Sequence, residues 1–188
     1  MNRIFMDLME ESPIIAAVKD YSGLSKCLES ESKIIFVLFG DILTINDIIS
    51  KIKDSGRIAI IHIDLINGLS SKEIAIDYIK HNTKADGIIS TKQALIKHAR
   101  ELGLFTVFRF FVIDSMAFEN IKKQSEAVKP DFIEILPGVM PKVIKRISSI
   151  VSMPVIAGGL ISDKEDVMAA LSAGAVSISS TNPDVWFM

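Results

Sequence analysis

The chain has 188 residues, 49% of them hydrophobic, with a single cysteine and a formal net charge of −2. That length suits one domain with a real core, the composition excludes a disordered chain, and the small negative charge argues against indiscriminate nucleic-acid binding. No apolar run reaches the roughly 18–20 residues that a membrane helix needs, and residues 1–11, which include Asp7, Glu10 and Glu11, do not read as a signal peptide.

Taken in chain order, short apolar runs alternate with segments of helical period. Residues 3–11 suit a helix, and segment 1–12 is expected to cap one end of a single domain spanning 1–188. A strand over 14–18 leads to a helix over 21–29. That helix carries the lone Cys27, read as packing filler in a reducing cytoplasm. Strand 34–40 and helix 44–55 follow, then strand 58–65 and helix 71–82, strand 87–90 and helix 91–102. Strand 105–113 precedes helix 115–128, strand 132–137 precedes helix 140–151, and strand 155–160 precedes helix 163–172. The last strand, 176–180, leaves only a short apolar tail ending in Trp186, Phe187 and Met188, which packs on the protein itself or on a partner of an oligomer.

Thr44 and Ser71 are candidate helix N-caps, and Asp163 precedes Asp166 as in a capping box. Gly56, Gly103 and Gly174 stand where helices should stop. Strict alternation implies a parallel sheet, and eight units imply closure into a compact (β/α)8 TIM barrel; an open doubly wound sheet is the alternative. At 188 residues the barrel is short, so its loops are minimal and its last helix truncated.

Five ionisable residues interrupt the apolar strands near their C-terminal ends, where barrels place their sites: Lys19, His62, Asp64, Arg109 and Glu134. Mutual ion pairs, Glu134 with Arg109 and Asp64 with Lys19, would satisfy them structurally. A polar ligand pocket is the functional reading, because Val or Ile would otherwise serve. His62 and Asp64 do not make a metal site, since His81 and His98 fall on helices and no third ligand is in view. No cofactor is expected. Gly158 and Gly159 end the seventh strand, and Ser179 and Ser180 end the eighth. Together they suit a phosphate, with backbone approach from the glycines and hydroxyl donors from the serines.

The run HIDLINGL from His62 to Leu69, Ser90-Thr91, and Arg109 followed by Ile113-Asp114-Ser115 resemble the glycerol uptake operon antiterminator regulatory protein family. So do Glu134-Ile135-Leu136-Pro137-Gly138, Ala157-Gly158-Gly159-Leu160-Ile161, Ala173-Gly174-Ala175 and Trp186. The resemblance spans nearly the whole chain. It implies a cytoplasmic barrel without catalytic residues, responsive to glycerol 3-phosphate and binding leader mRNA so that transcription passes a terminator. Gly158, Gly159, Ser179 and Ser180 would then hold the phosphate, and His62, Asp64, Arg109 and Glu134, with Lys19, the hydroxyls. The competing reading is a barrel enzyme, an isomerase, aldolase or transferase, acting on a small phosphorylated substrate. In it Glu134, His62 and Asp64 would serve as acids or bases and Lys19 as a Schiff-base lysine.

Charge is uneven. Residues 87–162 carry a net +4 and the remainder −6. The expected helices 91–102, 115–128 and 140–151 are neighbours, offering Lys92, Lys97 and Arg100, then Lys122 and Lys123, then Lys142, Lys145 and Arg146. They form a candidate RNA patch or an ordinary solvated face. No aromatic residue is interleaved with the basic ones along the chain.

Overall fold

The computed structural model describes residues 3–188. Met1 and Asn2, at the start of the expected 1–12 cap, lie outside the described residues. Eight parallel strands close in sequence order, and β8 pairs with β1 to complete the (β/α)8 barrel. They are β1 (Ile14–Val18), β2 (Ile34–Val37), β3 (Ile58–His62), β4 (Gly87–Ser90), β5 (Phe105–Phe111), β6 (Phe132–Leu136), β7 (Val155–Gly158) and β8 (Ser177–Ser180). The helices are α1 (Arg3–Glu11), α2 (Tyr21–Cys27), α3 (Ile45–Asp54), α4 (Glu73–Asn82), α5 (Gln93–Glu101), α6 (Ser115–Val128), α7 (Pro141–Ile150) and α8 (Lys164–Ser172). The open doubly wound alternative is replaced by the closed ring.

The strands are apolar on both faces because both faces are buried. Ile15, Ala17, Phe36, Ile60, Ile89, Val107, Phe132 and Ile156 fill the barrel, and a larger cluster lies between strands and helices. In α3, Ile45, Ile48, Ile49 and Ile52 recur at helical spacing, and all are buried against that outer layer. Each such side chain contributes about 1.5–3 kcal/mol. At the N-terminal end, Phe5 of α1 stacks on Phe105 with ring centroids 3.5 Å apart, and Met9 is buried beside the same interior cluster.

Several strands stop earlier than their apolar runs. The run 58–65 is a strand only to His62; Ile63–Leu65 coil into a 3-10 turn. Asp163 caps α8 as expected, accepting from the Asp166 N–H. Thr44 does not cap by its side chain; the Asp41 carboxylate accepts from its N–H and hydroxyl instead. Ser71 is no cap either, since its hydroxyl accepts from Lys92 and α4 begins after Lys72. The truncated eighth helix is a 3-10 segment, Pro183–Phe187. Its Trp186 is buried and donates Nε1–H to the Ser180 carbonyl at 2.7 Å.

Candidate functional site

Arg109 and Glu134 are register partners on β5 and β6, and both point into the barrel. Arg109 Nε donates to Glu134 Oε2 at 2.5 Å, and the Ser179 hydroxyl of β8 donates to Glu134 Oε1 at 2.6 Å. The network spans β7 because β7 carries a glycine there. A Cβ at Gly158 would sit 2.5 Å from Glu134 Oε1 and 2.6 Å from Ser179 Oγ. The sequence-based pairing of Arg109 with Glu134 is therefore found, with Ser179 as a third member.

Above this network lies a cavity of about 370 Å³, open at the C-terminal end of the barrel. Arg109, Glu134, Gly159, Ser179 and Ser180 line it, five of the nine candidate ligand residues, together with Leu136, Leu160, Ser162 and Thr181. Gly159 and Leu160 both have positive φ, +77° and +64°. For leucine that is a sparsely populated conformation, of the kind that binding loops retain. The Gly138 N–H donates to the Gly159 carbonyl at 3.0 Å, tying the loop after β6 to the loop after β7. Ser180 contributes less than expected. Its hydroxyl donates to the Ile161 carbonyl and accepts from the Asn182 N–H, so it braces the loop. The N-terminus of α8 is likewise taken, by the Asp163 carboxylate. Ser162 and Thr181, missed in the sequence, are hydroxyl residues in the same two loops as Gly159 and Ser180.

The remaining candidates sit apart from the cavity wall. His62 ends β3 facing inward and is 3% exposed. Its Nδ1 has no hydrogen-bond partner among the described residues. Burial, then the nearby Arg109 charge, lower its pKa from 6.5 to about 4. The unfolded chain thus binds a proton below pH 6.5 that the folded chain refuses until about pH 4, so stability is complete above that window and lost as pH falls through it. Relative to a His62→Gln variant, the protein should lose about 2 kcal/mol more by roughly pH 5. Denaturant melts at the two pH values check this, and parallel losses in both proteins would refute it.

Asp64 faces the other way. The 3-10 turn after β3 aims its carboxylate at the start of α5, where it accepts from the Thr91 N–H at 2.8 Å, from the Ser90 hydroxyl and from Lys92. Burial works to raise its pKa, but the Thr91, Lys92 and Ser90 hydrogen bonds hold it below the usual carboxylate range. The expected Lys19–Asp64 pair is not formed. Lys19 is exposed and lines a separate cleft of about 220 Å³ with Asp20, Lys26, Thr181 and Trp186. The reason is again local: β1 ends at Val18, and Lys19 leaves the barrel wall. Burial lifts the Cys27 thiol to about 11, which keeps it protonated and inert.

On the outer surface α5, α6 and α7 are neighbours. Two of the six basic candidates are engaged there. Lys92 is held by Asp64 and Ser71, and Arg100 donates to the Val128 carbonyl at the end of α6. Lys97, Lys142, Lys145 and Arg146 are exposed. No group of three or more His, Cys, Asp or Glu suited to a metal occurs among the described residues, nor any helix long and apolar enough to cross a membrane.

Comparison with known proteins places this architecture. A family model described as glycerol-3-phosphate responsive antiterminator matches residues 14–186. The uncharacterized protein YgcP of Escherichia coli (strain K12) is 48% identical over 181 residues, covering 96% of this chain and 95% of that protein. A glycerol uptake operon antiterminator regulatory protein from Listeria monocytogenes superposes with a TM-score of 0.90 at 31% identity, over 93% of this chain and 95% of the other. A glycerol uptake operon antiterminator-related protein from Thermotoga maritima does so at 0.83 and 34%, over 93% and 98%. By its sequence, its barrel and the span of the match, the chain belongs to the glycerol-3-phosphate responsive antiterminator family, a family of regulators.

Proposed function

We propose that the protein is a non-catalytic cytoplasmic sensor of glycerol 3-phosphate that binds leader mRNA. The observation that carries this reading is the cavity over the Arg109–Glu134–Ser179 network, rimmed by the Gly159–Ser162 and Ser179–Thr181 loops, in a chain of this family. Glycerol 3-phosphate has a dianionic end and two hydroxyls. The phosphate lies against Gly159, with Gly158 behind it leaving room for the network and the Thr181 hydroxyl at its edge, the Ser162 hydroxyl being held by Asp166. The hydroxyls reach the charged floor, where Arg109 donates and Glu134 accepts, while His62 stays buried behind it. Charge-assisted hydrogen bonds are worth about 1.5–3 kcal/mol each, so a few give micromolar affinity. Ser179 and Ser180 act by positioning Glu134 and the loop, and Asp64 by holding the neighbouring rim.

The enzyme reading finds less support. Glu134 is committed to two partners, and Lys19 is exposed, whereas a Schiff-base lysine needs a desolvated pocket. Phosphorus NMR of glycerol 3-phosphate titrated with the protein separates the two. Broadening without new resonances is expected; resonances growing with time would make the protein an enzyme, and an unchanged spectrum would remove this ligand.

RNA contact falls to the basic face of α5–α7, through Lys97, Lys142, Lys145 and Arg146. Affinity for RNA should fall steeply with salt, with a log–log slope of about −0.7 per phosphate contacted on a single strand. Filter binding across a salt series measures it, and a flat dependence would rule this face out.

A further inference from the structure

Between the N-terminal halves of α6 and α7 lies a groove of about 430 Å³, separate from the barrel cavity. Its volume is within the range of about 300–1,000 Å³ in which small molecular groups are bound. Val112, Ile113, Phe118, Met140 and Val143 supply apolar walls, and Arg146 closes one side. The Arg146 guanidinium lies over the Phe118 ring, 4.3 Å from its centroid. Arg146 is exposed and forms no ion pair among the described residues, and neither do Lys142 and Lys145, which flank it on α7. From Ile135 to Ser162 there is no acidic residue. On the groove wall, Ile113 is 82% exposed.

We propose that this groove is an RNA-contact surface, taking one unpaired base of a single-stranded segment against the Phe118–Arg146 stack, with the flanking phosphates on Lys142 and Lys145. The inference rests on the RNA-binding reading above and gives it a site. Unpaired bases are recognised by stacking on aromatic rings or on arginine guanidinium planes, beside cations that follow the backbone. Phe118 holds the guanidinium flat, and its exposed side provides such a plane. Glu119, also on the groove wall, is placed to accept from a base amino group. The stack is invisible along the chain because ring and guanidinium come from different helices. Asp114 and Glu119 also line the groove, so a second copy of this chain is the competing occupant that the test below separates.

The test uses a randomised-sequence single-stranded RNA pool and the full chain, with glycerol 3-phosphate present. Ultraviolet crosslinking followed by peptide mapping should place a crosslink on Phe118 or its neighbours. Phe118→Leu and Arg146→Ala should each weaken binding roughly 5- to 100-fold, while Lys80→Ala, exposed on α4 and away from the basic face, changes it little. Glycerol 3-phosphate affinity should be unaltered in all three, which also verifies folding. RNA bound with crosslinks elsewhere, and unmoved by Arg146→Ala, would overturn the groove and leave the RNA-binding reading standing. No RNA bound by the unaltered protein would overturn both. Concentration-dependent self-association abolished by Ile113→Asp, with RNA binding unaffected, would assign the groove to a second copy instead.

Discussion

Arg109→Met is expected to destabilise the fold by about 3–5 kcal/mol, and Arg109→Met with Glu134→Met to recover most of that loss. Glu134 is fully buried and Arg109 is 8% exposed. Removing the guanidinium leaves a carboxylate in the barrel with only the Ser179 hydroxyl to offset its lost hydration. Breaking one side of such a pair is costly for that reason, whereas replacing both charges by apolar groups of similar volume removes the desolvation penalty as well. Urea titrations of the wild type, the single and the double variant measure the difference. A double variant no more stable than the single would show that volume, and not charge, sets the loss. The same three proteins test the function. If Arg109 and Glu134 form the floor that reads glycerol 3-phosphate, the double variant regains stability and still fails to bind it. A network kept only for the fold would bind normally once stability returned.

Gly159→Asp should weaken glycerol 3-phosphate binding more than about 100-fold, because setting like charges together costs several kcal/mol. Gly159 has φ +77°, a region that aspartate and asparagine tolerate better than other side chains. The nearest atom to an added Cβ is Leu136 Cδ2 at 3.2 Å, the end of a side chain able to shift by a few tenths of an ångström. The fold should therefore survive, with the new carboxylate beside the proposed phosphate position. Gly159→Asn is the neutral counterpart, with the same shape and backbone preference, and should lose far less. Titration calorimetry on both variants decides the point. Equal affinities would move the phosphate away from this loop, and equal losses would assign the effect to bulk.

The barrel was legible because apolar runs and helical periods alternate without interruption, and that pattern needs no tertiary information. The Arg109–Glu134 pair was legible because two charges in otherwise apolar strands have few other ways to be satisfied. Asp64 was misjudged for a definite reason. Two-residue periodicity places it on the face of His62 only while the strand continues, and the 3-10 turn at Ile63–Leu65 rotates it toward Thr91. Lys19 fails similarly, since β1 ends one residue before it. Arg100 looked free because its acceptor, the Val128 carbonyl, belongs to a different helix. The Phe118–Arg146 stack was hidden for the converse reason, being an inter-helix contact between residues that show no pattern along the chain.

The Gly138–Gly159 hydrogen bond joins two loops with different neighbours. The Gly159 loop rims the barrel cavity, and the Gly138 loop runs through Met140 into α7 and the outer groove. If the cavity takes the metabolite and the groove the transcript, as proposed, this hydrogen bond links the rims of the two sites. Linkage makes that exchange symmetrical: whatever factor the metabolite adds to RNA affinity, RNA adds to metabolite affinity. A cell rich in the transcript would then respond at a lower metabolite level than one poor in it, so the threshold of such a switch belongs to the pair of ligands and not to the protein alone.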